Sequence, residues 1–137
     1  VEIIDMGVLP DDEAIITKAF ENAAHSSDIV ITSGGVSVGE ADFIKDTLMK
    51  LGHVDFWKIA MKPGKPLAFG KLGNALFFGL PGNPVSVMVT FALFARESIR
   101  ILSGENKQTS ISLTAVTLDD LKKQPGRRDY QRGIYKR

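Results

Sequence analysis

A short β-branched run that leads directly into a glycine-rich segment limits the possible folds of this chain more than any other feature. Residues 28–32 (DIVIT) have the composition of a buried strand, residues 33–39 (SGGVSVG) are rich in glycine, and residues 40–51 carry apolar side chains at helical spacing. A strand, a glycine loop and a helix in this order form the repeating unit of a parallel sheet covered by helices. This pattern predicts an α/β fold.

Further strand and helix patterns alternate along the chain. Patterns typical of strands occur at residues 1–5, 28–32, 53–61, 67–70, 75–78 and 110–118. The patterns at residues 67–70 and 75–78 predict a hairpin around Gly73-Asn74. Acidic first turns or helical spacing predict helices at residues 11–24, 40–51 and 84–102. Gly52 is expected to be the C-cap of the second helix, and Asn83 the N-cap of the third, with Pro84 in its first position. The alternation predicts a doubly wound, mostly parallel sheet.

A change of pattern near residues 103–109 marks a domain boundary. We expect an α/β domain at residues 1–105 and the beginning of a small β domain at residues 106–137. The second segment contains most of the excess positive charge, because residues 121–137 hold seven basic residues and one acid. A basic tail can indicate nucleic-acid binding, but no nucleic-acid module accompanies it, so we expect no nucleic-acid partner.

Composition excludes several functional classes. The 137 residues include no cysteine, which excludes thiol catalysis, cysteine-ligated zinc and disulfides within this sequence. The hydrophobic fraction of 44% and the charged fraction of 24% are typical of a soluble domain. The apolar stretches are far shorter than the ~20 residues of a membrane span. No signal peptide heads the sequence, so we expect a cytoplasmic protein without a membrane segment.

The residues that could bind a ligand or a metal ion lie in the loops at the carboxyl ends of the predicted strands. Ligands of doubly wound sheets bind at this edge. The two glycine loops there, residues 33–39 and 79–84, are each followed by a helix and would supply free backbone N–H groups for a phosphate or another oxyanion. Lys62 and Lys65 would add positive charge, and Asp11 and Asp42 are hard oxygen ligands for Mg²⁺. The alternative is ordinary structure: tight turns, solvated lysines and aspartates that favour the helix dipole.

A motif of hydrolases overlaps the first glycine loop. Residues 35–39 (GVSVG) match the Gly-x-Ser-x-Gly pattern of a nucleophile elbow, with Ser37 as the nucleophile. The catalytic triad needs a histidine late in the chain, and the only histidine after Ser37 is His53, directly beyond the next helix. We therefore interpret this match as chance.

Three long motifs indicate a protein family, which physical reasoning alone cannot do. They are residues 33–42 (SGGVSVGEAD), 57–66 (WKIAMKPGKP) and 79–86 (GLPGNPVS). In this order they closely resemble the MoeA family of molybdopterin molybdenumtransferases, whose eukaryotic relatives include the E domain of gephyrin. The related molybdopterin adenylyltransferases share the fold but lack the Lys-Pro-Gly-Lys-Pro string. An adenylyltransferase and a non-catalytic scaffold of the gephyrin kind remain the alternative interpretations.

The resemblance implies a fold, a reaction and partners. The fold would be the molybdopterin-binding α/β domain without its first strand, followed by the beginning of the C-terminal β domain. The full-length protein would insert molybdate into adenylylated molybdopterin, with Mg²⁺, and would release AMP. It would act as a homodimer beside the molybdopterin adenylyltransferase and downstream proteins of molybdenum cofactor synthesis.

The resemblance also implies the site residues. By this resemblance, the catalytic residues would be Asp11, Asp42, Lys58, Lys62 and Lys65. The two aspartates would in addition hold Mg²⁺, and Lys62 and Lys65 would lie near molybdate. Substrate binding falls on Ser33, Gly34, Gly35, Pro81, Gly82, Asn83, Pro84, Ser86 and Arg127.

Overall fold

The computed structural model describes residues 1–35, 42–105, 111–123 and 125–136, with the backbone alone at Asp42 and Phe43. Its helices are α1 (Glu13–Ser26), α2 (Asp42–Leu51), α3 (Pro84–Thr90) and α4 (Arg96–Leu102). Its strands are β1 (Ile29–Ser33), β2 (Gly52–Lys58), β3 (Met61–Lys62), β4 (Pro66–Leu72), β5 (Ala75–Leu80) and β6 (Arg128–Asp129). A π-helical turn, Phe91–Ala95, joins α3 to α4. Residues 84–102 therefore form one long helix, as predicted.

The main sheet has the strand order β1-β5-β4-β2. β1 pairs with β5 in parallel, whereas β5 with β4 and β4 with β2 pair antiparallel. The predicted α/β class is confirmed, and the sheet of the described residues is mixed, with one parallel pairing of three. The antiparallel part comes from the predicted hairpin at Gly73-Asn74, which joins β4 to β5.

Helices cover both faces of this sheet. α1 and α2 pack on one face, where the rings of Phe20 and Phe77 meet edge to face at 5.9 Å. The long helix packs on the other face, over a smaller buried cluster of Leu67, Phe78, Leu80 and Ala95. Burial of these apolar side chains, at roughly 25 cal/mol per Å², is the main force that holds the layers together. None of the helices in the described ranges is long and apolar enough to cross a membrane.

The direction of the strands gives the sheet two different edges. β1, β5 and β2 all run the same way, because β4 is antiparallel to both β5 and β2. Their carboxyl ends, at Ser33, Leu80 and Lys58, therefore lie at one edge, which we call the site edge. The Gly73-Asn74 turn lies at the opposite edge, which we call the hairpin edge.

Side-chain caps fix where two of the helices begin. Asp12 is the N-cap of α1, and its Oδ1 accepts a hydrogen bond of 3.0 Å from the Ile15 amide. Asn83 is the N-cap of α3, as predicted, and its Oδ1 accepts from the amides of Val85 and Ser86 at 3.0 and 3.3 Å. Such caps satisfy donors that a helix start otherwise leaves without a partner.

Arg100 forms ionic contacts at the C-terminal end of the long helix. Arg100 donates a hydrogen bond of 2.9 Å from Nε to Glu105 Oε2, and its Nη1 lies 3.5 Å from Glu97 Oε1. The pKa of Arg100 is raised above its ordinary value, mainly by the hydrogen bond to Glu105. A cation in the last turn also interacts favourably with the helix dipole.

Four local predictions were wrong. Residues 1–5 and 111–118 are exposed and form no strand, since nothing in the described ranges pairs with them. Gly52 does not cap α2 but begins β2 opposite Leu72, and a Cβ there would collide with the Lys71 carbonyl oxygen. The third predicted strand ends at Lys58, and β3 follows as a separate short strand. Residues 36–41 lie outside the described residues. They include Ser37, the rest of the first predicted glycine loop and the first two residues of the helix predicted after it.

Candidate functional site

The two glycine loops meet at the site edge, as the sequence predicted. The Gly34 amide, after β1, donates a hydrogen bond of 3.1 Å to the carbonyl oxygen of Leu80, at the end of β5. Gly34 and Gly35 have φ of 87° and 70°, a backbone conformation that favours glycine. A Cβ on Gly82 would lie 3.6 Å from the Gly34 Cα. The glycines therefore let two turns approach closely at the ends of parallel strands.

Several amides of these loops already have partners inside the protein. The expectation of free N–H groups is wrong for Gly34, which binds Leu80, and for Val85 and Ser86, which bind Asn83. Pro84 has no N–H group at all. Because these donors are used to build the loops, binding of an anion here depends more on side-chain charge than the sequence suggested.

The lysine loop, residues 58–66, connects β2 to β4 at the same edge. A hydrogen bond of 2.8 Å from the Ile59 amide to the Lys65 carbonyl oxygen closes the loop. Met61 and Gly64 are buried, whereas Lys62 and Lys65, each the next residue along the chain, are exposed. Buried residues thus anchor the loop and leave both ammonium groups toward solvent. Lys58, at the end of β2, is also exposed.

A segment far along the chain returns to the lysine loop. β6 pairs in parallel with β3, with Lys62 opposite Asp129. The Arg128 amide donates to the Ala60 carbonyl oxygen at 2.9 Å, and the Tyr130 amide donates to the Lys62 carbonyl oxygen at 2.8 Å. These backbone contacts place Arg127 beside the lysine loop.

A cationic cleft of about 640 Å³ lies between the lysine loop and this returning segment. Its lining has four cations, one acid and one apolar side chain: Lys62, Lys122, Lys123, Arg127, Asp129 and Leu121. Concave surfaces with one dominant sign of charge concentrate ions of the opposite sign. The structure therefore brings predicted residues Lys62 and Arg127 into one anion-attracting cleft. Sequence reasoning missed Lys122 and Lys123 as site residues, although the basic composition of residues 121–137 was a signal for them.

The remaining predicted substrate-binding residues also lie at the site edge of the sheet. Ser86, in the first turn of α3, is 9% exposed, and Pro81 is buried. Ser33, Gly82, Asn83 and Pro84 are exposed at the loops. Each has a backbone position at the site edge, where the sequence prediction placed it.

The two predicted carboxylates belong to helix starts. Asp11 is exposed and directly precedes the N-cap of α1. The end of α1 lines a cavity with Gly73 and Asn74 at the hairpin edge, so its beginning points toward the site edge. Asp42 begins α2 after the first glycine loop, and its side chain lies outside the described part. Among the described residues no three His, Cys, Asp or Glu are grouped as a metal site.

Comparisons with known proteins give the family of this chain. A family described as "Probable molybdopterin binding domain" matches residues 1–101. Molybdopterin molybdenumtransferase of Haemophilus influenzae is 56% identical over 135 residues, which are 98% of this chain and 33% of that protein. Gephyrin of Dictyostelium discoideum is 37% identical over 149 residues, which are 93% of this chain and 21% of that protein. The chain thus spans a third or less of the length of these relatives.

Solved structures show the same relationship. A crystal structure of the molybdopterin biosynthesis moeA protein from Pyrococcus horikoshii has a TM-score of 0.67 and 30% identity. That match covers 94% of this chain and 30% of the other. The resemblance that the three motifs indicated is therefore confirmed. With the family match over most of its length, the chain belongs to the molybdopterin-binding domain family.

Proposed function

We propose that this chain is the molybdopterin-binding part of a molybdopterin molybdenumtransferase. In the proposed reaction the complete enzyme inserts molybdate into adenylylated molybdopterin and releases AMP. The observation that carries the proposal is the cationic cleft, whose lining includes both Lys62 and Arg127. The name of the Haemophilus influenzae relative, molybdopterin molybdenumtransferase, supports the same activity.

The cleft suits a doubly charged tetrahedral oxyanion such as molybdate. Lys62 approaches from the lysine loop and Arg127 from the returning segment, so an anion between them would meet cations on two sides. Ammonium and guanidinium groups form the stronger, charge-assisted hydrogen bonds with oxyanions. Lys65, which is exposed on the same loop but does not line the cleft, would add a further cation. In this proposal the lysines bind and orient molybdate while the two dithiolene thiols of the substrate form bonds to molybdenum, and one molybdate oxygen leaves as water with their two protons.

The glycine loops would hold the adenylylated pterin. Their close approach leaves the backbone exposed at Gly82, beyond the ends of β1 and β5, where ligands of such sheets bind. A planar pterin with a pyrophosphate link needs a surface without bulky side chains, which glycine provides. The proposal therefore divides the edge between a molybdate end, at the lysines, and a pterin end, at the glycines.

Mg²⁺ is part of the proposal through the donor chemistry of Asp11 and Asp42. Carboxylate oxygens are the ligands that Mg²⁺ prefers, and it commonly shares substrate phosphates with only one or two protein carboxylates. Because the described residues contain no larger group of metal ligands, pyrophosphate oxygens and water would complete the coordination. When bound, Mg²⁺ would neutralise charge on the phosphate oxygens.

The proposed reaction also implies partners. An adenylylated pterin must come from an adenylyltransferase, and the molybdenum product must pass to proteins that mature or use the cofactor. We further propose that the complete protein is cytoplasmic and forms a homodimer. Light scattering of the purified protein at several concentrations would test whether it is a dimer.

Lysine variants of the complete enzyme test the proposed function. Lys62→Ala and Lys65→Ala should each raise the molybdate concentration for half-maximal rate about ten- to hundredfold, because each removes a charge-assisted contact of about 1.5–3 kcal/mol. Binding of the pterin substrate should change little. Raised salt should weaken molybdate use by the unmodified enzyme, since exposed charges are screened.

Lys71→Ala is the matched control. Lys71 is an exposed lysine of β4 that lies two residues before the Gly73-Asn74 turn, at the hairpin edge. Its loss should leave the molybdate curve unchanged. Molybdate curves that coincide for Lys62→Ala, Lys65→Ala and Lys71→Ala would contradict a molybdate site at the lysine loop.

A further inference from the structure

We propose that Thr90, a residue of the long helix outside every predicted site, is a positioning residue that sets the place of the lysine loop. The inference rests on the proposed function, since it concerns the same two lysines. Thr90 is 0% exposed, so it cannot touch a substrate. It acts instead through the residues that it contacts, Gly64 and Ser86.

The methyl group of Thr90 packs against the centre of the lysine loop. Gly64 has a φ of 100°, and a Cβ built on it would lie 2.6 Å from Thr90 Cγ2 and 3.2 Å from Met61 Cε. The space beside Gly64 is therefore filled by the threonine methyl and the methionine. Protein interiors packed in this way do not deform freely, so the position of the methyl limits where Gly64 can sit.

The hydroxyl of Thr90 shows which way the methyl points. Oγ1 donates to the carbonyl oxygen of Ser86 at 2.8 Å and also lies 3.2 Å from that of Val87. A β-branched residue in a helix has few side-chain rotamers, and in the one that Thr90 adopts the hydroxyl bonds the carbonyl four residues earlier. With Oγ1 bonded along the helix, Cγ2 is directed at Gly64.

This contact joins the two parts of the candidate site. Lys65 follows Gly64 directly, Lys62 precedes it by two residues, and Ser86 lies one helical turn before Thr90. The spacing between the two lysines and the start of α3 therefore depends on one buried side chain. Charge-assisted contacts lose strength when their geometry shifts, and small misplacements far from the chemistry can lower the rate strongly.

Two substitutions separate the methyl from the hydroxyl. Thr90→Ser keeps the donor but removes Cγ2, so the lysine loop loses its support. We expect the molybdate concentration for half-maximal rate of the complete enzyme to rise about three- to tenfold. Thr90→Val keeps both branches at Cβ in the rotamer that helices favour. Its half-maximal concentration should stay within about twofold of the unmodified value.

Thr47→Ser is the matched control. Thr47 is also buried, at 2% exposure, but it lies on α2 with its Oγ1 3.3 Å from that of Thr17. The same methyl is lost there on the opposite face of the sheet. Thr47→Ser can lower the melting temperature, but it should not move the molybdate curve of the folded enzyme.

The outcomes distinguish this inference from the proposed function. If Lys62→Ala raises the half-maximal molybdate concentration while Thr90→Ser does not, Thr90 is not a positioning residue and the molybdate site stands. If Lys62→Ala has no effect either, the proposed function itself fails. If Thr90→Ser does not fold, Thr90→Val still decides, because a rise as large as tenfold would assign the effect to the hydroxyl and overturn the role of the methyl.

Discussion

The two edges of the sheet each carry a cavity, and they differ in charge far more than in size. The cleft at the site edge measures about 640 Å³ and is lined by four cations and one acid. The cavity at the hairpin edge measures about 480 Å³, and its charged lining consists of Asp28, with His25 beside it. Both are open to solvent and bounded by turns. Volume alone therefore does not distinguish the site edge from the hairpin edge.

The charge difference comes from the segments that meet at each edge. At the site edge the lysine loop after β2 lies beside the returning segment, and these two supply all four cations of the cleft. The hairpin edge is formed largely by the end of α1 and the tight turn at Gly73-Asn74, which supply no lysine or arginine to the cavity there. The comparison shows that positive charge gathers where a loop meets a distant segment of the chain.

The largest expected effect concerns a carboxylate at the site edge. Asp42→Asn should lower molybdate insertion by the complete enzyme about 100-fold or more, because it removes a charged ligand proposed for Mg²⁺. Asp28→Asn, at the hairpin edge, is the control and should leave the rate unchanged. Insertion rates at saturating molybdate measure both. Full activity of Asp42→Asn with unchanged folding would remove Asp42 from the proposed Mg²⁺ site and favour a structural role for this aspartate.

A pair of glycine substitutions compares the stability of the two edges. Gly64→Ala should lower the free energy of unfolding by about 2–4 kcal/mol, because its φ is 100° and the new Cβ meets the Thr90 methyl. Gly73→Ala, with a φ of 55° and nothing within 4 Å, should cost only about 1 kcal/mol. Urea denaturation of this chain measures both values. Equal losses would mean that the lysine loop packs no more tightly than the hairpin turn.

Local signals predicted the parts of the fold that depend on neighbouring residues. The Gly73-Asn74 hairpin, the Asn83 cap and the junctions of strand with glycine loop all follow from side chains within a few positions. The strands predicted at residues 1–5 and 110–118 are not found at the described residues 1–5 and 111–118, because a strand-like pattern shows that a segment suits a sheet but not whether a partner strand exists. The prediction that Gly52 caps α2 was wrong because only the folded sheet shows how closely Lys71 approaches it.

The candidate site was predictable to the same extent. Motif resemblance indicated Lys62 and Arg127 separately, but their meeting depends on the β3–β6 pairing, which joins distant segments and has no local signal. Lys122 and Lys123 enter the cleft for the same reason. The involvement of Thr90 could not be predicted either, since a threonine in an apolar helix is ordinary until its methyl is found against Gly64.

The smallest expected effect tests the hydrolase motif in the first glycine loop. Ser37→Ala should leave molybdate insertion by the complete enzyme nearly unchanged, because no histidine in the sequence is placed to activate Ser37. A fluorophosphonate probe should not label the protein. Mass spectrometry of probe-treated protein provides the measurement, and a covalent adduct on Ser37 would restore the hydrolase interpretation.

The short pairing of β3 with β6 couples occupancy of the cleft to folding. Two residue pairs hold the returning segment against the lysine loop, although the chain between them is long and its closure costs entropy. An anion that contacts Lys62 on one wall and Arg127 on the other binds only when the segment is docked, so it stabilises the docked form by mass action. Reciprocally, whatever keeps the segment docked raises affinity for the anion by the same factor.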